Sequence, residues 1–337
     1  MAACSDSSSL KMQRILFNGS TTTVLAHRGL WGKYANILDM PENSRGSLQI
    51  ANDQCMDGVE LDVKLTSDGV PVLLHDWNLG RTTNIWALQA GRAKYDPLTN
   101  QGYNPSITVT PWSTVSRLSL LTPDRGNTTG YHVPRVDELL AYYKQHNLRT
   151  PIVFDIKTAA GVRAVARAAN NAFGVGAGGV VAAKVNATLY PSRAAYRADG
   201  NGIVGIPVFT TNMLAARNFN LRNAMQAWIE GGKTMEVNVK QPGGLLQADA
   251  DFIRERGMRV GVFQAIPDGP RQGQFFKNSG ECCYLLSSLY SSFGGRSDTA
   301  DERGKLSFIV ESQDFGLITT DDPKAAIAYL RRAGKHD

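Results

Sequence analysis

Apolar and polar positions change period along this chain in a repeating way. Short β-branched runs occur at 22–28, 58–63, 151–157, 180–186, 206–212, 235–241, 259–265 and 316–322. Between them, apolar residues return at helical spacing over 44–54, 135–147, 160–173, 192–198, 214–230 and 249–256, with a less regular helical stretch near 271–290. The last such segment, "PKAAIAYLRRAG" at 323–334, has Pro323 in its first turn and a glycine at its end, where helices prefer them. Strands that alternate with helices predict a parallel sheet with right-handed crossovers. Eight is the number of strands that closes a barrel. A doubly wound open sheet is the alternative. However, polar residues fall at the ends of several strands, and a barrel brings those ends to one mouth where an open sheet spreads them along an edge. The expected fold class is therefore α/β, a (β/α)8 TIM barrel.

Two segments break the rhythm. "KLTSDGVPVLLHD" at 64–76 reads as a hairpin with a Ser-Asp-Gly turn. With the turn centred near Asp68, cross-strand partners have numbers summing to about 136, which sets His75 opposite Leu61. Residues 84–132 are rich in Gly, Pro, Asn and Thr, with Trp86, Tyr95, Tyr103 and Trp112 interspersed. This stretch is too long for a simple loop and is expected to be an insertion capping the carboxyl-terminal mouth of the barrel. The domain expectation is a flexible tail over 1–20 and a single barrel over 21–337.

Composition adds limits more than direction. The net charge of +6 comes from Lys and Arg residues that are scattered rather than clustered, the pattern of a solvated surface and not of a nucleic-acid partner. No apolar run reaches the roughly 18 residues that a membrane span needs. The four cysteines, Cys4, Cys55, Cys282 and Cys283, lack zinc-site spacing and are expected as free thiols, a bridge from Cys55 to one of the adjacent pair being the alternative. The opening "MAACSDSSSL" resembles the end of a bacterial lipoprotein signal, cut just before the cysteine. On that reading Cys4 carries lipid, and the protein sits at a membrane surface in the periplasm or otherwise outside the cytoplasm. A cytoplasmic protein with a polar tail is the alternative.

The chemistry is concentrated in the first half. In "GVELDVKLT" (58–66), Glu60 and Asp62 are two apart on a strand and so share a face. Two neighbouring inward carboxylates repel each other unless a cation lies between them. Hard cations such as Mg²⁺ or Ca²⁺ take such oxygen ligands, and salt bridges to Arg or Lys are the other solution. The hairpin then delivers His75 beside the doublet, where an imidazole can exchange protons near neutral pH. "LAHRG" supplies His27 and Arg28, the latter a planar fork suited to phosphate. "FDIK" supplies Asp155, a third potential oxygen ligand, and Lys157, a contact for an anionic oxygen; an ion pair between the two is the plain alternative. "MPENS" (40–44) reads as a helix-capping turn through Asn43 or Ser44, with Glu42 facing the mouth if that loop lines it. Together these groups suit metal-assisted displacement at phosphorus, with one histidine taking a proton from the nucleophile and the other giving one to the leaving oxygen. No nucleophile elbow, Walker loop or dinucleotide fingerprint is present.

At this point the chain resembles the glycerophosphodiester phosphodiesterase family. The matching text is "AHRG" (26–29), "PENS" (41–44), "VELDV" (59–63), "DGVPVLLHDWNLGRTT" (68–83), "VPRVDELL" (133–140), "FDIK" (154–157) and "GLITTDDP" (316–323), in family order. The resemblance implies a divalent-cation-dependent barrel that hydrolyses glycerophosphodiesters to an alcohol and glycerol 3-phosphate. It implies that His27 and His75 are the acid–base pair, that Glu60 and Asp62 bind metal, and that Arg28 and Lys157 contact phosphate, with Glu42 in the motif lining the same site. The family usually carries Glu where Asp155 stands, so the shorter side chain reaches the metal directly or through a water. The chain departs from the family at "VFQAIPDG" (262–269) and in the fifty or so residues after it, which should face the alcohol part of the substrate. Phospholipase D-like cleavage of lyso- or sphingophospholipids keeps the same chemistry on another substrate. A non-catalytic binding protein on the same barrel is the reading from a different class.

Overall fold

The computed structural model describes residues 5–17, 19–230 and 232–337. Eight parallel strands form one sheet: β1 (Thr23–His27), β2 (Gly58–Leu65), β3 (Ile152–Ile156), β4 (Val181–Asn186), β5 (Val204–Phe209), β6 (Thr234–Val237), β7 (Arg259–Phe263) and β8 (Leu317–Thr320). Each pairs with its neighbour in sequence, and β8 returns to β1 through Thr23↔Leu317 and Val24↔Ile318, so the sheet closes into the expected barrel. Helices Arg45–Asp53, Val136–Gln145, Ala159–Phe173, Arg193–Gly200, Leu221–Ile229, Gln247–Arg254 and Pro323–Arg332 cover its outside. The outward strand residues Val24, Val59, Leu61, Phe154, Val181 and Val260 pack with these helices into the main core.

Residues of the opposite parity point inward, and they change character from one end of the barrel to the other. The lowest inward layer is apolar: Leu25, Val153, Ala182, Ile206 and Leu317 form one buried cluster with Met12, Ile15 and Leu16. Two residues further along the strands, the inward positions become polar, with Lys184 and Thr319 above Ala182 and Leu317. The barrel therefore has a dry floor and a charged mouth, which is the arrangement that keeps the mouth free for chemistry.

The floor is closed by a helix, Ser8–Leu16, capped by Ser7. The sequence reading placed these residues in a flexible tail. The helix shows only one apolar stripe in nine residues, and its stability comes from docking against the strands rather than from its own pattern. Cys4, expected to carry lipid, lies outside the described residues.

The hairpin register is as expected. Val63↔Leu73, Lys64↔Val72 and Leu65↔Pro71 pair antiparallel, and the Leu74 amide donates to the Asp62 carbonyl at 3.1 Å, bringing His75 up beside β2. The 84–132 insertion is ordered around its own small core of Val72, Leu79, Ile85, Ile107, Val115 and Leu118. It stands at the rim and buttresses a second excursion, residues 264–316 between β7 and β8. Asn104 Nδ2 donates to the Ser279 carbonyl at 3.0 Å, and the Cys282 amide donates to the Pro97 carbonyl at 2.9 Å.

That second excursion corrects two expectations. The helix expected near 271–290 is instead a β-hairpin, Gln274–Phe276 against Cys282–Leu285, with a register shift between Phe275 and Phe276. Its irregular apolar spacing reflects a strand pair that faces the cavity on one side only. The expected free thiols are also overturned: Cys282 and Cys283 are bonded to each other, and no described cysteine is free. A smaller difference lies at 214–230, where a short 3-10 turn (Thr211–Ala215) and the helix Leu221–Ile229 are separate elements.

Candidate active site

The carboxyl ends of the strands surround a cavity of about 500 Å³ lined by His27, Arg28, Glu60, Asp62, His75, Asp155 and Lys157, together with residues of the later strands and the second excursion. Seven of the eight residues expected at the site thus line one space. Glu42 is the exception: its carboxylate is taken by two guanidinium groups, Arg28 Nη1 at 3.1 Å and Arg81 Nη2 at 3.2 Å.

The turn after β1 aims Arg28 inward. Arg28 and Gly29 both lie at positive φ, 58° and 81°. Only a glycine fits second, because a Cβ there would collide with the Ser47 side chain. The non-glycine Arg28 is held in this sparsely populated region by its surroundings. Its amide donates to Glu60 Oε2 at 3.3 Å, while its carbonyl accepts from the Asn43 amide at 2.9 Å and from Ser47 Oγ at 3.1 Å. The "PENS" turn divides its work between two residues. Ser44 caps the helix Arg45–Asp53 in a reciprocal box with Ser47. Asn43 instead clasps Asp62, its Nδ2 donating to the carboxylate and its Oδ1 accepting from the backbone amide, each at 2.9 Å.

Each histidine is fixed by a carboxylate. His27 Nδ1 lies 2.8 Å from Asp321 Oδ1, and its ring meets Phe263 edge-on at 4.8 Å. His75 Nδ1 lies 2.7 Å from Asp76 Oδ1, and the fully buried Asp76 in turn accepts from Arg81 Nε at 2.6 Å and Nη2 at 2.9 Å. An ionised carboxylate can only accept, so in both rings Nδ1 carries the proton and Nε2 faces the cavity as the working nitrogen. Burial works against charge on His27, yet the field of Asp321, its hydrogen bond and Glu60 together raise the imidazole above its ordinary value. Burial would likewise raise Asp76, but Arg81 and His75 hold it well below the usual carboxylate range.

The two carboxylates of the doublet are shifted in opposite directions. Glu60 is pushed up, first by burial and then by Asp62. Asp62 is held down despite its burial by His75, Lys64, Arg28 and His27. One ligand atom each from His27, Glu60 and Asp62 lies within 4.8 Å of the others. Asp155 stands beside Asp62 on the adjacent strand. Its Oδ2 pairs with Lys157 Nζ at 2.7 Å, the plain alternative read from the sequence, while its Oδ1 is buried without a hydrogen-bond partner. An orphaned carboxylate oxygen next to a buried acidic pair fits a divalent cation bound by oxygen ligands.

Sequence reasoning missed several groups. Asp321 lies in the quoted "GLITTDDP" block, but its partner is 294 residues away. Lys184 and Glu236 form a 2.5 Å pair across the barrel interior, each buried and alternating with apolar neighbours in "VVAAKVN" and "MEVNVKQ". Those alternating charges were the available signal. Asp268, Phe275, Phe276 and Tyr284 come from the second excursion, which has no regular period.

Comparison with known proteins agrees with this picture. Residues 27–177 match the model of the Glycerophosphoryl diester phosphodiesterase family. A glycerophosphodiester phosphodiesterase of Bacillus altitudinis is 43% identical over 67 residues, 20% of this chain and 25% of that protein. Glycerophosphodiester phosphodiesterase domain-containing protein 4 of Macaca fascicularis is 30% identical over 147 residues, 41% of this chain and 22% of that protein. The chain thus spans a quarter or less of the length of these relatives. Among solved structures, a glycerophosphoryl diester phosphodiesterase of Parabacteroides distasonis superposes with TM-score 0.59 at 18% identity, covering 96% of this chain and 93% of that one. A phosphodiesterase of Oleispira antarctica, solved with its product sn-glycerol-3-phosphate, superposes with TM-score 0.56 at 18% identity, covering 92% and 97%. At that identity the superpositions speak for the shared barrel. The stretch that supplies both histidines and the acidic doublet, residues 27–177, is thus the part of the chain similar to the glycerophosphoryl diester phosphodiesterase family.

Proposed function

We propose that this protein hydrolyses glycerophosphodiesters to an alcohol and glycerol 3-phosphate, using a divalent cation. The observation that carries the reading is the pair of histidines, each tied through Nδ1 to its own carboxylate and both opening on one cavity beside the acidic doublet. The family of residues 27–177 supports the same reaction. Glu60, Asp62 and Asp155 would hold the cation, Mg²⁺ or Ca²⁺ by the hardness of its ligands. A cation held there would supply Lewis-acid polarisation of the phosphoryl group and offset negative charge on its oxygens.

The chain's own groups do the rest. Arg28 and Lys157 bind the non-bridging oxygens and hold the diester in line. One histidine, neutral with a bare Nε2, takes a proton from the attacking oxygen, and the other, entering as the imidazolium, gives its Nε2 proton to the departing alkoxide. Asp321 and Asp76 keep the proton on Nδ1 of both rings, so that Nε2 is the nitrogen that gains or gives a proton. Ile266, Phe275, Phe276 and Tyr284 of the second excursion add apolar and aromatic lining to the same cavity.

The test is hydrolysis by purified protein, stripped with a chelator and resupplied with Mg²⁺, Ca²⁺, Mn²⁺ or nothing. Glycerophosphocholine, glycerophosphoethanolamine and lysophosphatidylcholine are offered in parallel, with His27→Ala and His75→Ala as controls. Release of glycerol 3-phosphate that metal restores and both variants lose is expected. Turnover of the lysolipid alone would move the substrate to a phospholipase D-like class, and no turnover would sink the reading. The lipid-anchored, extracytoplasmic location read from the amino terminus is a separate proposal, tested by incorporation of labelled fatty acid that Cys4→Ala abolishes.

A further inference from the structure

Arg28 faces more negative charge than one guanidinium needs. Its Nη1 reaches Glu42 Oε2 at 3.1 Å and Asp268 Oδ2 at 3.4 Å, and its Nε lies 3.7 Å from Asp62 Oδ2. The same Nε is buried and makes no hydrogen bond. Two of these three acids are anchored elsewhere. Glu42 is also gripped by Arg81 at 3.2 Å, and Asp62 by Asn43 at 2.9 Å. Among the described residues, Asp268 pairs with no second cation. It belongs to the second excursion rather than to a barrel strand, lines the cavity, and keeps its Oδ1 on the Phe276 amide at 3.0 Å. A phosphate entering the fork of Arg28 meets this carboxylate, and two anions cannot share one Nη1 without repulsion.

We propose that Asp268 is an internal stand-in for the substrate phosphate: it occupies the outer end of the Arg28 fork and yields it when the diester is seated. This rests on the reading of Arg28 as the phosphate contact. Asp268 is then a positioning residue with two effects. It fills the outer end of the Arg28 fork, beside Glu42, while the site is empty. It also weakens phosphate binding, because its displacement is part of every binding event, and so favours release of the phosphorylated product.

The test is calorimetric binding of sn-glycerol 3-phosphate to the Mg²⁺-loaded protein, comparing wild type with Asp268→Asn and Asp268→Glu. Asparagine retains an oxygen for the Phe276 amide and removes the charge. The expected result is product bound about three to ten times more tightly by Asp268→Asn, the scale of one partly exposed ion pair, with KM for the diester falling more than kcat. Asp268→Glu keeps the charge and is expected to stay near wild type. Unchanged or weaker binding in Asp268→Asn would overturn the proposal and make Asp268 a support for Arg28. A wild type that turns over diester while the variants bind product alike overturns this inference alone. A wild type that neither binds product nor turns over diester overturns the proposed function with it.

Discussion

Asp321 and Asp322 are adjacent aspartates with different work, and the same substitution at each should separate them. Asp321 accepts from His27 Nδ1 at 2.8 Å, between groups that are only 3% and 7% exposed. Asp321→Asn preserves shape but removes the charge and can turn a donor toward the ring, which leaves Nε2 protonated in the neutral imidazole. A buried hydrogen bond to a charged group is worth about 1.5–3 kcal/mol. At about 1.4 kcal/mol per factor of ten, kcat should fall roughly 10- to 150-fold. Asp322 instead caps the helix Pro323–Arg332, its Oδ1 accepting from the Ala325 amide at 3.1 Å. Asparagine caps as well as aspartate, so Asp322→Asn should change neither kcat nor folding by more than about 0.5 kcal/mol. The assay is steady-state diester hydrolysis at saturating metal, with circular dichroism to confirm the fold of each variant. An Asp321→Asn enzyme within twofold of wild type would refute the assignment of Asp321 as the orienting group of His27.

Ile15→Ala, at a fully buried position in the floor cluster, should lower unfolding stability by about 2–5 kcal/mol in a urea titration; a loss under 0.5 kcal/mol would mean the helix is not docked in solution. Adding Mg²⁺ or Ca²⁺ to chelator-stripped protein should raise the melting temperature, with about 2.7 kcal/mol of added stability at a hundredfold excess over Kd; a melting curve indifferent to both ions would remove the metal site. His336, raised chiefly by its hydrogen bond to Asp57 and despite its burial, binds its proton more tightly folded than unfolded. Its stabilisation is therefore complete below its ordinary value near 6.5 and is lost as pH rises through the raised folded value. Urea midpoints from pH 6 to 9 should decline less steeply in His336→Gln than in wild type, and identical slopes would contradict the assignment.

The barrel was legible because its strands keep one parity over short spans: Val59, Leu61 and Val63 outward, Glu60, Asp62 and Lys64 inward. The hairpin register was legible for a similar reason, since a Ser-Asp-Gly turn fixes which residues oppose each other. Local periodicity reports what a residue's own strand does, and the doublet, His75 and Arg28 all lie within 48 residues of one another in number. It says nothing about partners brought in by closure of the sheet. Asp321 meets His27 because β8 returns to β1, and Lys184 meets Glu236 because the interior is narrow. The hairpin at 274–285 was misread as helical because its apolar residues answer to a cavity below them rather than to a periodic face. The floor helix was missed because nine residues with a single stripe look like a polar tail until the barrel bottom is there to receive them.

That floor helix also fixes an orientation. Ser5 and Asp6 sit beside Thr21–Thr23 and His336 at the underside of the barrel, whereas His27, Asp155 and Asp321 stand at the far ends of their strands. Anything joined ahead of Ser5, whether a fatty acid, a fusion partner or a solid support, leaves from the closed end. A chain attached there would be held like a cup by its base, with the open end pointing away from the attachment.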